Sequence, residues 1–175
     1  MCSSDLKYIG KALSEAAIAP SNIIDTLFLS PLLFPSKPYH ALLKDDKLQS
    51  DDTNNPLNDS IKARDLFYDE ITKFHQVDDN LKQIYYLLLK EKPEFRAFFR
   101  FIGYSCKETA PEKLISIKFK GEICEQAEFA RIIETQPVEL AYCLSLIDTF
   151  MRHPELRSVT PPWVLKNYPE VEQIM

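Results

Sequence analysis

The sequence predicts a mainly α, single-domain, irregular helical bundle with one short strand or minor β element near 113–120, and three observations carry that expectation. The chain has only 3 glycines against 12 prolines in 175 residues. Tight strand-to-strand turns of the favoured kinds need residues that take positive φ, so this scarcity argues against a hairpin-rich fold. Apolar residues recur at helical spacing through most of the chain, most clearly in Gln136–Arg152, QPVELAYCLSLIDTFMR. Only one stretch, Lys113–Lys120, alternates with the period of a strand.

In Gln136–Arg152, Val138, Ala141, Leu144, Ile147 and Met151 form one stripe, and Leu140, Tyr142 and Phe150 widen it beyond a coiled-coil seam. A stripe that broad predicts a core helix packed by more than one other segment. A chain of 175 residues suffices for one domain that buries about two-thirds of its unfolded surface, so residues 1–175 are read as a single unit. No apolar run reaches the roughly 20 residues needed to span a bilayer, which predicts no membrane partner.

From the start of the chain, Ser3 or Ser4 caps a first helix with Leu6, Ile9, Leu13 and Ala16 or Ala17 on one face, and Pro20 ends it. The opening stretch MCSSDLKYIGKAL lacks a basic region followed by a long apolar run and carries Asp5, so no export signal is expected. Ser21 then opens NIIDTLFLSPLLFPSKPYHALL, which Pro31, Pro35 and Pro38 cut into a short helix and an extended, packed crossing. Lys44–Asn58, rich in Asp, Asn and Ser, offers too little to bury and is expected to be a flexible polar loop.

Asp59 or Ser60 is expected to cap a helix with Ile61, Leu66, Phe67, Ile71 and Phe74 inward. Asp78 and Asp79 restart the pattern with Leu81, Ile84, Tyr85, Leu88 and Leu89 inward. Pro93 opens a further helix in which Phe95, Phe98, Phe99 and Ile102 share a face and Gly103 marks the end. In Lys113–Lys120, KLISIKFK, the alternation predicts a strand with Ile115, Ile117 and Phe119 against the helices and Ser116, Lys118 and Lys120 toward water. After Gly121 a helix with Ile123, Ala127, Ala130 and Ile132 or Ile133 inward leads into the core helix. Residues 155–175 form a proline-interrupted tail, packed on or extending from the core, in which Trp163 either plugs one end of that core or anchors another molecule.

Charge is uneven. Residues 1–60 have 5 basic and 8 acidic side chains, residues 61–120 have 12 and 9, and residues 121–175 have 4 and 9. The basic middle third contains Arg96, Arg100 and Lys107 among the aromatics of 95–107, a mixture that also holds nucleic acid by stacking and phosphate contact. Acidic flanks disfavour a general role of that kind. The cysteines at positions 2, 106, 124 and 143 are widely spaced and are read as reduced thiols of a cytoplasmic protein. His40, His75 and His153 lie far apart, with no zinc-ligand spacing, and no phosphate-binding glycine loop or nucleophile elbow is present. No catalytic, metal or cofactor site is nominated.

The expected function is therefore a non-catalytic, cytoplasmic protein–protein interaction module of the adaptor, inhibitor or regulatory-subunit type. Its partner would be another protein or a second copy of itself. The expected contacts are Ser116, Lys118 and Lys120, as a lysine-guarded strand edge to which a partner strand adds, together with Trp163. The alternatives are a nucleic-acid-associated protein using Arg96, Arg100 and Lys107, and an enzyme whose site is assembled from scattered residues, with Cys106 or His75 as places to look.

Overall fold

Proline sets the punctuation of this chain. In the computed structural model, which describes residues 23–38, 40, 56–107, 109–124, 127–158 and 162–174, the helices are α1 (Thr26–Leu33), α2 (Pro56–Gln76), α3 (Asp79–Leu89), α4 (Pro93–Phe101), α5 (Pro111–Lys118), α6 (Phe129–Thr135), α7 (Pro137–Arg152), α8 (Trp163–Asn167) and α9 (Pro169–Ile174). A 3₁₀ turn at Pro154–Ser158 follows α7. Five helices begin on a proline, whose fixed φ suits the first turn and whose missing N–H would have had no intrahelical acceptor there. No strand occurs among the described residues.

Helix α7 is the axis of the fold. All nine residues from Leu140 to Asp148 are buried, and α1, α3, α6, α9 and the 3₁₀ turn pack around it. The stripe expected from sequence is present, except that Met151 is 39% exposed. Helix α1 joins α7 to α2 and α4. Asp25 accepts from the Leu27 amide at 2.9 Å to start α1, and Pro31 inside it helps keep it short. Leu29, Leu32 and Leu33 are buried, so the α1 part of the apolar proline-cut segment is core.

Helix α3 follows its prediction closely, with Asp78 as N-cap accepting from Leu81 N–H at 3.2 Å and Leu81, Ile84, Tyr85, Leu88 and Leu89 buried. Helix α4 buries Phe95, Phe98 and Phe99, as expected. It ends at Gly103, where φ is +64°. The Gly103 and Tyr104 amides turn back onto the Arg100 and Phe99 carbonyls at 3.2 and 3.0 Å. At the far end, α9 seats a fully buried Val171 against α7, so the tail is packed on the core.

Three expectations need correction. The predicted strand at 113–120 is helical: α5 runs Pro111–Lys118 and Ile117 is 73% exposed, whereas Ile115 and Phe119 are fully buried. An eight-residue apolar alternation also contains an i, i+4 pair, and Pro111 at the start, Glu112 in the first turn and Lys118 in the last favour the helix. The polar stretch 44–58 is not all loop, since Pro56–Asn58 form the first turn of α2, which moves the start ahead of the expected Asp59 or Ser60 cap. Helix α6 begins only at Phe129, so Ile123 precedes it and Ala130 is exposed. The predicted helix over residues 3–17 and the remainder of the 44–58 stretch lie outside the described residues.

The helical reading of α5 separates two isoleucines that a strand would place on one face. Ile115→Ala should cost about 2 to 4 kcal/mol in urea unfolding, while Ile117→Ala should change stability by no more than about 0.5 kcal/mol. Equal losses at both positions would speak for the strand.

Candidate functional site

The residues named from sequence do not form one site. Lys118, expected to face water on a strand edge, is only 15% exposed in its side chain and bridges Asp78 at 3.1 Å and Asp148 at 3.0 Å. It serves the core, tying α5 to the start of α3 and to α7. Ser116 and Lys120 are exposed and line a separate depression with Ile123 and Phe129. Trp163 is half-buried: its amide donates to the Lys37 carbonyl at 3.3 Å, and its ring meets His40 at 5.3 Å and Tyr168 at 6.1 Å.

Arg96 and Arg100 are brought together. Spaced i, i+4 on α4, both are exposed and line a cleft of about 400 Å³ between the end of α3 and α4, with Tyr86, Lys90, Tyr104 and Ser105. The Tyr86 and Tyr104 rings are half-buried and meet edge-on at 5.7 Å, and Lys90 reaches over Tyr86 at 5.8 Å. Glu91 is the acidic member of the lining. Lys107 is exposed but does not line the cleft.

Arginines elsewhere are engaged. Arg64 pairs with Asp65 at 2.7 Å, Arg131 with Glu128 at 3.3 Å, Arg157 lies 3.9 Å from Glu122, and Arg152 pairs with Asp148. Arg96 and Arg100 have no ion pair among the described residues. On its α2 side, α4 leaves Phe101 61% exposed beside Phe67, at 5.1 Å, and Tyr68 on α2 is 58% exposed. Large exposed aromatics of this kind are enriched where proteins bind one another.

Sequence reasoning missed the buried polar groups Glu70, His40 and Asp148. Glu70 sits fully buried on the inner face of α2, with neither carboxylate oxygen hydrogen-bonded among the described residues. Burial pushes its pKa up to about 9, against the opposing pull of Lys37, so the group is a neutral acid at pH 7. His40 is buried with Nδ1 2.7 Å from Ser30 Oγ and Nε2 without a partner among the described residues. Burial, assisted by Lys37, lowers its pKa to about 4. Ser30 is itself 1% exposed, so this pair has no access to a substrate. Asp148, the third, lies on α7 between Lys118 and Arg152. No periodicity argument singles out Glu70 or Asp148, because each occupies a position that the apolar stripe of its helix would fill, and His40 lies outside any helix.

The proposed enzyme locations carry no activated nucleophile. Burial raises the Cys106 thiol pKa despite nearby Lys90, and Cys143 is pushed up to about 12 by burial, so both stay protonated at neutral pH. His75 is exposed. Among the described residues no three His, Cys, Asp or Glu side chains converge as metal ligands, and no helix is long and apolar enough to cross a membrane. Comparison with protein-family models, curated proteins and solved structures gives no match.

The two shifted groups give stability a defined pH dependence. Glu70 titrates higher in the folded state than unfolded, so its contribution is complete below about pH 4.5 and is lost as pH rises toward 9. His40 titrates lower, so its contribution is complete above about pH 6.5 and is lost as pH falls toward 4. Between 4.5 and 6.5 the slopes offset each other, and above 6.5 only the Glu70 loss remains. Glu70→Gln should flatten the decline in unfolding free energy between pH 6.5 and 9; an unchanged slope would mean that Glu70 is not a buried neutral acid. Separately, Lys118→Met should cost about 1 to 3 kcal/mol, because it leaves the buried Asp148 with Arg152 alone of its two cations and removes the tie to Asp78, while Lys120→Met should cost no more than about 0.5 kcal/mol.

Proposed function

We propose that this chain is a non-catalytic helical module that binds an acidic segment of another protein at the α3–α4 cleft, in a reducing, cytoplasmic setting that keeps its cysteines as thiols. The observation that carries the proposal is the pair Arg96 and Arg100 on one cleft, without ion pairs among the described residues, while Arg64, Arg131, Arg152 and Arg157 are all engaged. A guanidinium held at the surface beside half-buried tyrosine rings suits a carboxylate-bearing partner, since planar bidentate pairing and ring contact reinforce each other.

The partner surface thus shifts from the expected strand edge at Ser116, Lys118 and Lys120 to α4. Nucleic acid is the competing occupant of the same residues. Two features favour protein: Phe95, Phe98 and Phe99 are covered, which removes a row of stacking rings, and the flanking thirds of the chain are net acidic.

Fluorescence anisotropy with a labelled oligoglutamate peptide and a single-stranded oligonucleotide of equal charge tests this. The peptide should bind in a salt-dependent manner, and Arg96→Glu with Arg100→Glu should weaken it at least about tenfold, whereas Lys113→Glu with Lys120→Glu should leave it within about twofold. Tighter binding of the oligonucleotide would replace the proposal with the nucleic-acid reading. Peptide binding indifferent to the α4 reversal would overturn both.

A further inference from the structure

We infer that the recess where the carboxyl-terminal ends of α1, α2 and α7 meet is a binding site for a small amphiphilic carboxylate, with its hydrocarbon inside and its anionic head at Lys37 and Lys73. The site lies apart from the α3–α4 cleft and does not depend on how that cleft is used. Its volume is about 380 Å³, within the range of small-molecule sites. The inner part is lined by the buried Leu33, Leu81, Tyr85 and Ser145 and by the half-buried Val77 and Leu156. Its hydroxyls already have partners: Ser145 donates to the Leu32 carbonyl at 2.7 Å, and the Tyr85 hydroxyl is hydrogen-bonded to Ser145. An occupant therefore needs no polar group at its inner end, and hydrocarbon is the chemistry that gains from this lining.

The mouth is cationic. Lys37 is exposed and Lys73 half-buried, both line the recess, and neither has an ion pair among the described residues. Lys37 reaches over the Phe34 ring at 3.9 Å, a contact that positions the ammonium without neutralising it. Glu70, the buried acid nearest in effect to Lys37, is neutral at pH 7. Lys73 stands in the last turn of α2, where a cation suits the helix dipole and keeps its full charge. Arg152, also on the lining, belongs to a balanced set in which Lys118 and Arg152 face Asp78 and Asp148. Glu155 is the acid of the lining, and it meets His153 at 3.3 Å. Lys37 and Lys73 set against Glu155 leave one positive charge beside the His153 imidazole, which matches a single carboxylate rather than a dianion.

Isothermal titration of the full chain with octanoate, octanol, octylammonium and inorganic phosphate decides the matter. Octanoate should bind at least about tenfold more tightly than octanol or octylammonium. Lys37→Gln with Lys73→Gln should reduce octanoate to the octanol level, whereas Arg96→Gln with Arg100→Gln, on the separate cleft, should leave it within about twofold. Amide shifts induced by octanoate should centre on Leu33, Val77 and Leu156. Circular dichroism and the urea midpoint confirm that the lysine variants, altered at the mouth of the recess, remain folded. Equal affinity for octanoate and octanol, or octanoate binding indifferent to the lysine pair, would overturn the inference. Phosphate binding as tightly as octanoate would make this a bare-anion site and overturn the amphiphile. Failure of octanoate to bind at millimolar concentration would overturn the site itself.

Discussion

A helix buried around its whole circumference has to bring no uncompensated polar group into the interior, and this constraint organises the fold around α7. Leu140 to Asp148 includes Tyr142, Ser145 and Asp148, and each is met by a neighbour. The Tyr142 hydroxyl donates to the Phe28 carbonyl at 3.0 Å and the Ser145 hydroxyl to the Leu32 carbonyl at 2.7 Å. Leu32 belongs to the last turn of α1, where carbonyls lack intrahelical donors, so α7 satisfies the end of α1 while burying its own hydroxyls. Asp148 is the costliest group. Its partners are Lys118 from α5 and Arg152 one turn further along α7, and Lys118 in turn holds Asp78, the cap of α3. Although partial burial opposes ionisation of Asp78, the Lys118 contact and the Leu81 amide keep its carboxyl below the usual range.

The same constraint separates core from working surface. Cations that neutralise the interior, such as Lys118, are spent there, and those of α4 remain outside. Phe95, Phe98 and Phe99 turn inward and Arg96 and Arg100 outward on one short helix, so an ordinary amphipathic segment presents two guanidiniums without an ion-pair partner among the described residues. Glu70 shows the opposite arrangement, an acid on the apolar face of α2 that exists there only as a neutral group.

Much of this was legible in the sequence where two independent signals agreed. Helix α3 combined an Asp cap with a clean 3.6-residue stripe, and α7 combined a proline start with an apolar face too broad for one neighbour. Where signals competed, the weaker one misled. In Lys113–Lys120 the alternation of Ile115, Ile117 and Phe119 suggested a strand, yet Pro111 and Glu112 mark a helix start and a strand has no partner among these helices. The prolines were legible as helix starts at 93 and 137 but not at 56, where polar neighbours suggested a loop. The pairing of Arg96 and Arg100 followed from their i, i+4 spacing. Tyr86, Lys90 and Tyr104 could not be added, because their convergence depends on the packing of α3 against the turn after α4, which no local pattern records.

Native-state hydrogen exchange along α7 tests most directly whether the fold depends on that helix and its compensated polar groups. The amides from Tyr142 to Asp148 should exchange only through global unfolding, with protection free energies equal to the unfolding free energy, and Lys118→Met should lower both by the same amount. Exchange of α7 by a local opening, well below the global free energy while α1 or α3 stays protected, would contradict the account.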